Sequence, residues 1–386
     1  MTHVSETGTW NVTTDRSDLP YSKRVHIPTL LQVFSNTASS YKYLYFLSLL
    51  EILAQTGFNQ LVIDIDDIIL EMLVNAWYPH TYFKLSFGLN DRIADELNRL
   101  GTGNFSVVKG AMGNAKNNLK AQFARLDVKN NSLSTYVPFR LLSPFFSDRL
   151  RGTKDADRNK TIMDLAWEQF DRIRPFYYVS KDKRSIVMHP EWMLYFNENF
   201  KLVQSFIAWN WLEYMQKRNP AVPNIQIKLL PPSTRNPLTT QSGFWRTVLR
   251  QEQLTCIYSG EPLTVNNFSL DHFLPWSFVA HDQLWNLIPV SININSSKSN
   301  KLPSLERYFN RYADIQSKAL IVYHNSPGKT PWKTIAEPYV ADLKIKPAEL
   351  FDRDKLFIGL KTMIEPLYSL ATNQGFTAGW EWKTRS

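Results

Sequence analysis

A chain of 386 residues is too long for one ordinary core and points to two or three domains. Hydrophobic residues at 44% and charged residues at 20% exclude general disorder. The single cysteine, Cys256, excludes an internal disulfide and a zinc site made of several thiolates, while a formal charge of +9 favours a polyanionic partner.

In chain order, residues 1–25 read as a polar, poorly ordered lead, whose start from Met1 to Asp18, with Asp15 and Asp18, reads as neither a signal nor a transit peptide. Helical spacing begins at Ile27 and continues from Tyr43 to Leu53, a run too short to span a bilayer and interrupted by Ser48 and Glu51. With the lone cysteine, this leads to the expectation of a soluble, cytoplasmic protein. A second apolar helix is predicted from about Ile63 to Trp77, with Pro79 just beyond it. Asp64, Asp66 and Asp67 are read as its dipole-favoured acidic start in preference to a metal site. Helices over Asn90–Leu100, with Asn90 as N-cap, and over Val107–Leu126 flank the turn Gly101-Thr102-Gly103.

Next, Ser134–Leu141 reads as short β-like pieces and Asn159–Ile173 as an amphipathic helix. Phe176–Val179 and Ser185–Met188 form a hairpin around Lys181, Lys183 and Arg184, whose charges are read as those of an ordinary turn. A long aromatic helix is predicted over Pro190–Arg218, with Trp209, Trp211, Leu212 and Tyr214 assigned to the core. Prolines crowd the stretch from Asn219 to Pro237, which marks a linker. Beyond Leu302, helices are expected over Leu305–Ile321 and Pro347–Thr372, separated by a loop rich in Pro and Gly. The resulting fold class is α+β. A helical region (1–130) and a mixed α/β region (131–220) precede a Pro-rich linker (221–237), a ββα unit (238–310) and a C-terminal helical buttress (311–386).

The chemistry concentrates between Asp271 and Lys298. A strand ends at Asp271-His272, Pro275 follows, a second strand covers Asn286–Val290, and a helix runs from Ser291 to Asn300, with Pro303 as terminator. Phosphodiester hydrolysis needs a base for water and a cation for the charge that develops. His272 has the titration range of such a base, and Asp271 supplies a hard oxygen ligand. The helix offers Asn293 or Asn295 as a second ligand, and about 200° of rotation between them lets only one face the strand. Asn295 is chosen because Lys298, three residues on, shares its face and is placed to meet a phosphate. Asn293 stays as the alternative. His281 and Asp282 are read as solvated loop residues. Adjacent strand residues point to opposite faces, so Asp271 and His272 serve one phosphate only at the strand's end.

The pattern Asp271-His272-x-x-Pro275-x-Ser277, then Asn286-Leu287, then Asn295-x-x-Lys298, resembles the HNH nuclease family, with spacing similar to the HNH domain of RNA-guided CRISPR effector nucleases. The resemblance implies His272 as general base and Asp271 and Asn295 as ligands of one Mg²⁺ or Mn²⁺. Asn286 would brace the loop that orients His272, and Lys298 would be a supporting basic residue. It also implies DNA cleavage leaving a 5′-phosphate and a 3′-hydroxyl. Ser259 stands where many members have the second cysteine of a zinc-binding pair, so a structural zinc is not expected. Standalone HNH proteins with a large companion region resemble bacterial defence or restriction effectors, which implies an anti-phage role and a sensor or ATPase partner subunit. The rival readings are a toxin-like RNase using the same site and a catalytically idle nucleic-acid-binding subunit.

Overall fold

The computed structural model describes residues 19–89, 91–104, 112–125, 133–229 and 236–383. They form two compact units, one of residues 1–81 and 86–218, the other of residues 82–85 and 219–386.

In the first unit, the helix Tyr41–Gln55 is buried along almost every face, from Tyr43 through Leu50. A helix apolar all round belongs at the centre of a core, and here the helices Ile65–Trp77 and Phe200–Arg218 pack against it. A three-stranded antiparallel sheet completes the unit: β1 (Val62–Asp64), β2 (Tyr177–Val179) and β3 (Ser185–Met188), with β3 in the middle. Ile63 pairs with Ile186 in that sheet, so the helix predicted from Ile63 starts at Ile65. Asp64 is its N-cap, accepting from Asp66 N at 2.8 Å, which fits the dipole reading of the acidic cluster.

Several expectations need correcting. Ser134–Leu141 is helical, as a 3-10 turn over Leu133–Thr135 and an α-helix over Val137–Arg140. Pro138 supplies the pre-set φ of a first helical turn. The long aromatic helix is two, Pro190–Glu198 and Phe200–Arg218, joined at Asn199. Trp211 and Tyr214 are buried, but Trp209 is 56% exposed. Residues 1–18 of the polar lead lie outside the described residues, as do the N-cap Asn90 and the start of the helix read from Val107. The rest of the lead is held in place, with the Tyr195 hydroxyl donating to Pro20 O (2.9 Å) and Val25 buried.

The second unit is centred on a two-stranded sheet, β4 (Ser269–His272) and β5 (Leu287–Val290). Helices Leu305–Asn325, Trp332–Leu343 and Arg353–Asn373 surround it with Thr239–Gln251. Trp332–Leu343 occupies what reads as a loop in the sequence, and Pro338 lies inside it. Residues 82–85 join this unit: Phe83 is fully buried, and Gln374 Nε2 donates to its carbonyl at 2.8 Å. The described part of the proline-rich stretch is packed, since the helix Ile225–Leu229 buries Ile225, Lys228 and Leu229. Lys228 Nζ donates to Phe278 O, and burial pushes its pKa down to about 7. Among the described residues, no helix is long and apolar enough to cross a membrane.

Candidate active site

β4 and β5 run antiparallel, with Asp271 opposite Ile288 and His272 opposite Leu287, and the helix Ile292–Lys298 begins directly after Ser291. Alternation along β4 sends adjacent side chains to different partners. Asp271 is buried. Its Oδ2 accepts from the Tyr258 hydroxyl at 2.8 Å and its Oδ1 from the Lys298 ammonium at 3.1 Å. Lys298 donates also to His272 O at 2.7 Å and is itself fully buried, so it does not present its charge to a phosphate as its helical position suggested. Burial lowers its pKa, and the Asp271 carboxylate opposes that shift. Tyr258, whose own pKa burial raises first and the nearby carboxylate next, reaches Asp271 from the turn that follows Cys256. That turn is closed by backbone bonds from Gly260 N to Cys256 O and from Cys256 N to Glu261 O, both 2.8 Å.

His272 turns to the loop side. Its Nε2 lies 2.7 Å from Asp282 Oδ1, with the two side chains 13% and 23% exposed. Asp282 is therefore a partner of the histidine and not a solvated loop residue. Asn286 is what returns the loop. Fully buried, its Oδ1 accepts from Leu274 N (2.8 Å), its Nδ2 donates to Leu274 O (2.9 Å), and its backbone O accepts from Phe273 N (2.8 Å). A second layer holds the far side: Gln241 Nε2 donates to Asp282 O (3.0 Å), Gln316 Nε2 to Leu287 O (2.9 Å), and Trp285 Nε1 to Asp342 Oδ2 (2.6 Å).

His281 is likewise not a solvated residue. It stacks obliquely on Trp285 at 5.2 Å, and burial pushes its pKa down to about 4, against the opposing pull of Asp342. The unfolded imidazole takes a proton near the ordinary pKa of 6.5 whereas the folded one stays neutral. Stability from this residue is therefore complete above pH 6.5 and lost as pH falls towards 4. His281→Asn keeps an acceptor for Gln283 N–H and is expected to remove up to about 3 kcal/mol of that acid destabilisation. Urea unfolding of both proteins across this pH range checks it, and parallel pH profiles would contradict it.

Asn295 and not Asn293 faces β4. Its Nδ2 donates to Ser269 Oγ (2.7 Å) and Leu270 O (2.9 Å), while Asn293 is exposed. With the amine end committed, Oδ1 is the end of the amide left for a cation. Among the described residues, no group of three His, Cys, Asp or Glu side chains converges as a metal cage. A site of one carboxylate, one amide oxygen and water is nonetheless what Mg²⁺ commonly takes. Each Asp271 oxygen receives one donor and keeps a second lone pair, as ligating carboxylates do when outer partners orient them. The donor set thus fits a hard divalent ion, which would share Asp271 with the Lys298 ammonium.

Asp282, Tyr258 and His281 are the site residues that sequence reasoning missed. Two antiparallel strands and a helix, with a histidine at the end of the first strand and an asparagine clamp behind it, define a ββα unit. Residues 256–304 match the family model described as HNH endonuclease. The second unit thus carries an HNH endonuclease domain, of a family of nucleic-acid hydrolases that typically use a divalent metal. The match covers a small part of the chain, and no curated protein and no solved structure matches.

Proposed function

We propose that the chain is a divalent-metal-dependent endonuclease that hydrolyses DNA, with His272 as its general base. The observation that carries this reading is the His272–Asp282 pair at the end of β4, inside the segment that matches the HNH family. An ionised carboxylate only accepts hydrogen bonds, so Asp282 selects the tautomer with the proton on Nε2. Nδ1 is then the nitrogen that takes the proton from the attacking water, and Asp282 stabilises the imidazolium that results. Asn286 keeps the loop closed so that Asp282 stays in reach. Asp271 and Asn295 would hold the Mg²⁺ or Mn²⁺, which when bound supplies positive charge against the developing phosphorane and the leaving oxygen. Lys298 and Tyr258 fix the Asp271 carboxylate and are not placed to touch substrate. The net charge of +9 supports a polyanionic substrate.

The test is cleavage of plasmid DNA and of a structured RNA by the full chain, with Mg²⁺, with Mn²⁺ and with EDTA. Metal-dependent nicking or linearisation of the plasmid is expected, slowed about 10–100-fold in Asp282→Asn, where the asparagine amide also allows the wrong tautomer. Cleavage of the RNA alone would move the assignment to a ribonuclease. No cleavage of either with any metal would overturn it.

A further inference from the structure

In the first unit, the segment after the 3-10 turn Gln32–Phe34 has a cavity on each side, and Ser35 and Asn36 line both. The first cavity, of about 700 Å³, has an aromatic floor. Phe34 and Tyr43 stack at 4.5 Å and 22°, with Phe206 at 5.7 Å from Phe34 and Tyr214 at 5.4 Å from Tyr43. Lys217, Arg218 and the acidic Glu213 also line it, with the Arg218 guanidinium 4.9 Å over the Tyr214 ring. The second cavity, of about 340 Å³, is lined by Lys42, Arg151 and Arg158 together with Ser143 and Ser147, and by no carboxylate.

Arg151 pairs with Asp148 at 3.1 Å on the exposed side, but among the described residues Lys42 and Arg158 have no carboxylate partner, and two such cations in one recess are favourable when an anion completes it. Lys42 spends two donors on carbonyls, Val33 O and Asn36 O at 3.2 Å each, and keeps a third. Arg158 Nε is buried with no hydrogen-bond partner, a cost that an oxyanion would remove. Burial, helped by the Arg140 charge, pushes the Lys42 pKa down to about 8, which also marks a cation lacking its counter-charge. Serine hydroxyls beside guanidinium groups suit phosphate oxygens, and aromatic rings suit the face of a heterocycle.

We propose that the two adjoining cavities are one binding cleft for a nucleotide, its phosphate in the recess of Lys42, Arg151 and Arg158 and its base against the aromatic floor at Phe206. The chemistry is shared by a free nucleotide and by a single-stranded nucleic acid. This cleft does not depend on the nuclease reading, because every residue in it belongs to the first unit.

The experiment is binding of ATP, and separately of a short fluorescent oligothymidylate, to the full chain in EDTA. The variants are Arg151→Ala, Arg151→Ala with Arg158→Ala, and Phe206→Ala. The Arg151 side chain is 83% exposed, so its removal leaves folding intact, and thermal melts check the other two. At least about tenfold weaker binding is expected for the double arginine variant and for Phe206→Ala, with the salt slope for the oligonucleotide falling by about one per cation removed. Loss for ATP alone assigns a free nucleotide, and loss for the oligothymidylate alone assigns a nucleic-acid strand. Loss in the arginine variants with Phe206→Ala unchanged would overturn the nucleotide and leave only an anion site. Wild-type affinity in all variants, or no binding of either probe, would overturn the cleft altogether.

Discussion

Lys298→Met is expected to lower the stability of the second unit by about 3–5 kcal/mol in EDTA, because it strands a buried carboxylate. Among the described residues, Asp271 has only the Tyr258 hydroxyl as its other side-chain donor, and its side chain is 3% exposed. For a unit of this size, the thermal midpoint should fall by roughly 6–20 °C. If Asp271 and Asn295 hold a divalent ion, the variant should regain much of this loss in Mg²⁺, since the metal then becomes the only cation facing the carboxylate. At a concentration 100-fold above its dissociation constant, bound Mg²⁺ adds about 2.7 kcal/mol. The wild type, whose Asp271 charge is already balanced, should gain less from the same Mg²⁺. Melting both proteins in EDTA and in Mg²⁺ decides the matter. A variant as destabilised with Mg²⁺ as without it would remove Asp271 from the metal site, whatever the activity.

His272→Ala is expected to slow DNA cleavage by about 10²–10⁴-fold under saturating metal, the usual contribution of a general base. This corresponds to about 2.7–5.4 kcal/mol on the barrier. The fold should tolerate the change. Among the described residues, the His272 side chain bonds to Asp282 alone, which is 23% exposed and so reached by water. The contact from Lys298 is to the backbone carbonyl of His272 and survives. Single-turnover plasmid cleavage, with melting curves as control, measures the effect. A His272→Ala protein that cuts at the wild-type rate would place the base elsewhere.

These two variants separate neighbours that the sequence presents as one unit. Asp271 and His272 are adjacent, yet the first is bound inward to Tyr258 and Lys298 and the second to Asp282. The strand alternation was readable from sequence. The partners were not, because they come from a turn thirteen residues earlier, a helix twenty-seven residues later and a loop ten residues later.

By itself, the sequence determined the local grammar of this protein. It set the ββα order, the pairing of strands around a loop containing Pro275, and the choice of one helix face, where Asn295 meets β4 and Asn293 does not. These features follow from periodicity and capping over a few residues, which any short segment carries with it. Only the tertiary structure decided that Lys298 is a buried counter-ion instead of a phosphate contact, and that His281 is a neutral core ring. It also decided that Asp282 belongs to the histidine, that Trp209 is exposed, and that residues 82–85 pack with the second unit. The physical reason is common to these cases. Burial and ion pairing are set by which distant segments close over a residue, here through the Asn286 clamp and the Gln316 and Asp342 supports, and no periodicity of the chain encodes that closure.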